Sequence, residues 1–407
     1  MKSSILVFGA GDNQLDLIKA CRKLGYRTIV TDPAESPPGA KWADLFFVLS
    51  ADDIIGHEEV IIKEKVKGIV TCQMENPLEL MALLAQKFNM PFPSPKAIKK
   101  ARNKFLMKEA FVSGEVPCAF GILFRNYEQA SNSNLTHRDF PLIMKPIDSH
   151  SSKGVIKVDS KKELLANFKV TSSFSSNGEV LVESFLSGPE VSVEALTFKG
   201  QTTIVQVTDK WITPYPHTVE LQHIQPSSLP KDTIVKIHAI VKKAVKVLGL
   251  DNCGIHAELK ITDQGPKMIE IAARLGGDYI SSWLTLLSTG INMNKALAQI
   301  AMGQHPDLEQ HFSWHSAIRY VNWPSGKKVA KITSLKPFLN DHRVNHAGIF
   351  LKQGQLTPLV CESKSRHSFF ITSANNRQQL MKHIKALTKK MHAVIRLKKP
   401  KQEVLES

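Results

Sequence analysis

Two carboxylates and one arginine carry the strongest chemical signal in this chain of 407 residues. Glu258 lies in the apolar-rich run 257–261 and Glu270 in the run 267–271, with the turn residues Asp263-Gln264-Gly265-Pro266 between them. That spacing predicts a β-hairpin in which both acids can point the same way. Arg274 follows four residues later. Mg²⁺ takes oxygen ligands and is commonly held by one or two carboxylates plus substrate phosphates, and a planar guanidinium beside such a pair suits an anion. In an isolated hairpin, two glutamates more often simply face solvent.

The upstream chain shifts that balance. Leu142-Ile143-Met144-Lys145-Pro146 is a short apolar run ending near a lysine. It is followed by the small polar loop Ile147-Asp148-Ser149-His150-Ser151-Ser152-Lys153-Gly154 and a second strand, Val155–Val158. Strand, polar loop and strand make a flap whose backbone N–H groups and hydroxyls can cover phosphate oxygens. It is not a Walker A loop, because a strand rather than a helix follows the glycine. Next, Val180-Leu181-Val182-Glu183 reads as a strand, Gly188-Pro189 as a turn, and the following strand alternates Glu190, Ser192 and Glu194 with Val191, Val193 and Ala195.

In this order the parts resemble an ATP-grasp enzyme, from the first strand to about Arg396. Carried over residue by residue, the resemblance places Lys104, Lys145 and the flap residues Ser151, Ser152 and Gly154 on the ATP phosphates. It sets Glu183 at the adenine amino group, the Phe185 and Leu186 backbone at the hinge, and Glu190 on the ribose hydroxyls. Glu258 and Glu270 would hold Mg²⁺, or Mn²⁺ in its place, and Arg274 would face the transferred phosphoryl group and the substrate carboxylate. Glu220 and His223 resemble the acceptor-pocket residues of amino-acid ligases. The N–H groups of Gly276, Gly277 and Asp278 are candidates for holding the carboxylate or an oxyanion. One position departs from the family pattern: Ala272 stands where a Glu-x-Asn-x-Arg motif has asparagine, which removes one protein ligand.

The expected activity is that of an ADP-forming carboxylate–amine ligase, similar to the L-amino-acid ligases and acting through an acyl phosphate. The alternative is a bicarbonate-activating carboxylase of the biotin carboxylase or purine-biosynthetic type. An ATP binder that has lost its chemistry is suggested only by Ala272. The partners implied are ATP, Mg²⁺, and a small-molecule carboxylate and amine, with a homodimer left open.

These residues need a scaffold. Strand and helix alternate over residues 1–95, which predicts a small parallel sheet with helices on its faces, the pre-ATP-grasp domain of the resemblance. Within it, Gly9-Ala10-Gly11 with Asp32 downstream is a weak dinucleotide signal, because Gln14 replaces the third glycine. The grasp domain is expected over 96–312, with a helix from Lys96 to Phe111 and a lid at about 116–182. A small β-rich lobe should follow over 313–400 and a polar tail over 401–407. The fold class is therefore α/β, with α+β character in the lid and the C-terminal lobe.

Composition agrees. The hydrophobic fraction of 43% supports sizeable cores, and two to three domains fit the length. The apolar run Ile5-Leu6-Val7-Phe8 is too short for a signal sequence, and no stretch is long enough to span a membrane, so a cytoplasmic protein is expected. Five dispersed cysteines without C-x-x-C spacing speak for reduced thiols and against a disulfide framework or zinc site. The formal charge of +16 is spread along the chain without a stripe or an aromatic-basic motif, which argues against nucleic acid as the partner.

Overall fold

A computed structural model describes residues 2–149, 152–215 and 217–398. The N-terminal strands β1 (Ser4–Phe8), β2 (Arg27–Asp32), β3 (Leu45–Val48) and β4 (Val66–Val70) form a parallel sheet in the order β3-β2-β1-β4. β1 is buried at every position, as a central parallel strand covered on both faces must be. The Asp32 carboxylate accepts from the N–H groups of Ala10 and Ala34 and so ties the glycine turn to the end of β2.

The lid is an antiparallel sheet of β5 (Gly121–Phe124), β6 (Leu142–Pro146), β7 (Ile156–Val158) and β8 (Val180–Ser184), ordered β5-β8-β6-β7. Its inner face packs Phe124, Leu142, Met144, Val158 and Val182 against Leu164 and Phe168 of the helix Lys161–Ser172. Sequence reading placed one helix over Lys96–Phe111, but the chain forms two, Pro95–Arg102 and Lys104–Ser113. Asn103 breaks the run. Its backbone is extended and its side chain accepts from the N–H groups of Phe105 and Leu106, a helix N-cap that sets Lys104 as the first residue of the second helix.

The central element is one antiparallel sheet. It contains β9 (Glu190–Phe198), β10 (Gln201–Ile212), β11 (Glu220–Gln225), β12 (Cys253–Thr262), β13 (Gly265–Ala272) and β14 (His315–Val321), and continues into the C-terminal region. There β15 (Val329–Ile332) pairs with β18 (Ile395–Leu397), while β16 (Val344–Ile349) and β17 (Ser368–Ala374) join the main sheet. The full order is β13-β12-β9-β10-β11-β14-β17-β16. After residue 313 only β15 and β18 form a sheet of their own; β14, β17 and β16 extend the main sheet through the pairing of β11 with β14, which carries C-terminal side chains to the edge of the grasp site. The helix Lys231–Leu248 buries Ile237, Val241, Ala244, Val245 and Leu248 at three- and four-residue spacing, and Gly249 ends it in a left-handed conformation.

Candidate active site

Register sets out the site. Glu258 lies directly opposite Glu270 across β12 and β13, so the two carboxylates share one face of the hairpin. On the other side of β12, Glu258 faces Ser192, His256 faces Glu194, and Lys260 faces Glu190. One strand further, Lys210 of β10 faces Glu190. One sheet face therefore presents a lattice of alternating acids and bases.

This face floors a cavity of about 600 Å³ roofed by the lid. Lys104, Lys145, Ser152, Glu183, Phe185 and Leu186 line it from the lid side and the capped helix, and Glu190, Glu258, Glu270 and Arg274 from the sheet. Glu220, His223, Gly277 and Asp278 line it from β11 and the turn after β13. Gly154 and Gly276 do not, and Ser151 lies outside the described residues.

Several side chains already have partners, which changes the roles expected of them. Glu183 is buried and holds Lys108 and Lys145, each at 2.5 Å. Burial pushes its carboxyl up, but the two ammonium groups outweigh that and keep it below the ordinary carboxylate range. It is thus the counter-ion of both lysines, one of which, Lys145, lines the cavity. The Phe185 N–H donates to the Pro141 carbonyl, so this hinge amide is not available either. Glu190 is paired with Lys210 at 2.6 Å and Lys260 at 3.2 Å. The Gly276 N–H donates to Glu194, which removes it from the expected anion-binding group. Gly154 has positive φ, and a Cβ there would press on Phe174 and Pro146, so its role is in lid packing.

The proposed metal acids differ in environment. Lys210 touches Glu258 at 2.6 Å, and His256 Nε2 lies 3.5 Å from it. Burial raises the Glu258 carboxyl, yet Lys210 and His256 hold it well below the usual range, so it is ionised. Burial would lower His256, but Glu194 and Glu258 raise it to about 9. Glu270 is more open, with Lys104 at 3.5 Å. Lys104 also donates to the Ser149 carbonyl at the root of the flap. Two carboxylates in register fit a hard divalent cation whose remaining ligands come from phosphates and water. Among the described residues, no cluster of three or more His, Cys, Asp or Glu forms an all-protein metal cage. The Arg274 guanidinium donates through Nη2 (2.7 Å) and Nε (3.2 Å) to Glu75, and through Nη1 to the Leu275 carbonyl.

Residues 138–282 match the family model of the ATP-grasp domain. The chain carries an ATP-grasp domain. The chain is 26% identical over 273 residues to the alanine–anticapsin ligase of Bacillus subtilis, covering 60% of the chain and 56% of that protein. It is 23% identical over 398 residues to dapdiamide A synthase of Enterobacter agglomerans, covering 92% of each. Its fold superposes on an L-amino acid ligase from Bacillus licheniformis with a TM-score of 0.82, at 20% identity over 98% of both chains. The chain spans 46% to 66% of the length of several curated relatives it matches. No helix among the described residues is long and apolar enough to cross a membrane.

Sequence reading named Glu220, His223 and Asp278 on the far wall of this site but missed Arg366, which ties them together. Arg366 grips Asp278 with two bonds of 2.7 Å and lies 3.6 Å over the Tyr320 ring. His223 Nε2 reaches the same carboxylate at 3.2 Å. Burial raises Asp278, but Arg366 and His223 overcome it and hold the acid far below its ordinary range. Glu220 accepts from the Ser363 hydroxyl at 3.2 Å and lies 3.8 Å from Arg366. Only the pairing order β11-β14-β17 brings Arg366 here. Lys108 had a local signal, one helical turn beyond Lys104. Lys210 had another, an inward position on an alternating strand.

Proposed function

We propose that the chain is an ADP-forming carboxylate–amine ligase that joins amino-acid-like substrates through an acyl phosphate. The observation that carries this reading is a single cavity in which the Glu258/Glu270 pair, Arg274 and Lys145 are continuous with a second polar group made of Glu220, His223, Asp278 and Arg366. The ligase names of the alanine–anticapsin and dapdiamide relatives support it. The carboxylase structures among its neighbours share the fold at under 25% identity and favour no second activity.

In this reading Lys104 and Lys145 contact the ATP phosphates, with Glu183 fixing Lys145. Glu258 and Glu270 hold Mg²⁺, which when bound would neutralise charge on the β- and γ-phosphates. Arg274, steadied by Glu75, orients the substrate carboxylate. One carboxylate oxygen attacks the γ-phosphorus, the bond to the β-phosphate oxygen breaks, and ADP leaves. The amine then attacks the acyl carbon, phosphate departs, and the ammonium proton passes to solvent. Such catalysis is positioning and electrostatics, so no nucleophilic side chain is needed. The flap excludes the water that would hydrolyse the mixed anhydride.

The test is ADP release screened across amino acids, singly and in pairs. Release that requires amino acids supports the ligase. Release that depends on bicarbonate and is indifferent to every amino acid overturns it.

A further inference from the structure

Glu194 is fully buried, yet both of its oxygens are occupied by groups from different parts of the site. Oε1 meets His256 Nδ1 at 2.5 Å, and Oε2 accepts the Gly276 N–H at 3.0 Å. The other ring nitrogen of His256 lies 3.5 Å from Glu258. The packing leaves no slack, since a Cβ on Gly276 would sit 2.6 Å from both Glu194 Oε1 and His256 Nδ1. The turn it grips is backbone that side chains rarely adopt: Asp278 and Tyr279 have φ of 51° and 60°. A buried carboxylate with no solvent contact is retained only when its partners satisfy it fully.

We infer that Glu194 and His256 are positioning residues that clamp the two halves of the site together, His256 orienting the metal acid Glu258 and Glu194 pinning the Gly276 turn that follows Arg274. This rests on the ligase reading above for the role of Glu258. The clamp adds to the Arg366 and His223 contacts on Asp278 in holding a turn with consecutive positive-φ residues, because strained backbone persists only where its surroundings over-determine it. It also links metal and acceptor geometry through one side chain. An outer-shell partner of a ligating carboxylate, the place His256 takes beside Glu258, typically governs metal affinity or activity about 10- to 100-fold.

The clamp has two arms that substitution separates. His256→Ala cuts the arm to Glu258 and leaves Glu194 on Gly276. Glu194→Ala cuts both, whereas Glu194→Gln keeps an oxygen for the Gly276 N–H and loses the carboxylate oxygen that holds His256 Nδ1. We expect Mg²⁺-dependent binding of the β,γ-imido analogue of ATP, read by calorimetry, to weaken about 10- to 100-fold in all three. Amide hydrogen exchange at Gly276 in the nucleotide-free protein should accelerate in Glu194→Ala but stay near the parent rate in His256→Ala and Glu194→Gln. A merely structural role would move both readouts together in every variant, and that result overturns the clamp. So does parent-like nucleotide binding in folded His256→Ala. If the parent itself fails to bind Mg²⁺-nucleotide, the functional role falls with the ligase reading, while Gly276 exchange still reports whether Glu194 pins the turn.

Discussion

Glu183→Gln should loosen the lid from within. The native carboxylate touches Lys108 and Lys145 at 2.5 Å each, and all three side chains are nearly inaccessible to water. At an effective dielectric of about 20, each contact is worth roughly 7 kcal/mol of gross attraction, most of it offset by desolvation of the three charges. Removing one member of a buried set while leaving the others costs about 3–5 kcal/mol net, because an amide oxygen can satisfy one ammonium and not the charge of two. The lid has its own small core, so the loss should register as local opening of β6 and β8. Hydrogen exchange there should accelerate at least about 100-fold, the equivalent of about 3 kcal/mol. The pH dependence has a definite sign. A carboxyl held below its unfolded value stabilises the fold above the ordinary carboxylate range, and that contribution is lost as pH falls through its lower folded value. Protection of β6 and β8 in the parent should therefore decline below about pH 4, and the glutamine variant should lack that decline. Equal exchange in parent and variant at neutral pH would refute the counter-ion role.

Two further substitutions probe the other walls. Arg366→Lys loses the two-pronged grip on Asp278 and the stack on Tyr320, so kcat/KM for the carboxylate substrate should fall about 100-fold while KM for ATP changes little, and an equal loss for both substrates would contradict its placement at the acceptor side. Ala272→Asn adds an amide oxygen next to Glu270 and should lower the Mg²⁺ concentration giving half-maximal ADP release; an unchanged titration means the cation is fully coordinated without this position.

The hairpin of β12 and β13 was legible because two apolar-rich runs flank an Asp-Gln-Gly turn, but setting Glu258 opposite Glu270 also takes the register shift between Glu258 and Leu259, which no sequence pattern announced. The parallel N-terminal sheet was legible for a similar reason: short apolar runs separated by helical spacing leave few other folds. What stayed hidden was long-range. Arg366 lies 88 residues from Asp278, and no local pattern announces that β17 joins the main sheet. β16, with the sequence Val-Asn-His-Ala-Gly-Ile, has too little β-branched character to read as a strand and is set by pairing with β17. The break at Asn103 was local, yet it was hidden by helical spacing on both sides. Partners were the other blind spot. The resemblance placed Glu183 at adenine and Glu190 at the ribose, and the turn after Arg274 offered the Gly276 N–H; each meets a neighbouring lysine or carboxylate that only the tertiary fold brings to it.

The most direct test of the central claim is interception of the activated carboxylate. Purified protein with ATP, Mg²⁺, hydroxylamine and the amino acid that supports ADP release should yield the hydroxamate of that amino acid, without biotin or added bicarbonate. Glu270→Gln should nearly abolish the product while the fold survives, since the loss of one metal acid removes several kcal/mol of transition-state stabilisation. ADP released with no hydroxamate under those conditions, or hydroxamate formed undiminished by folded Glu270→Gln, would contradict the account.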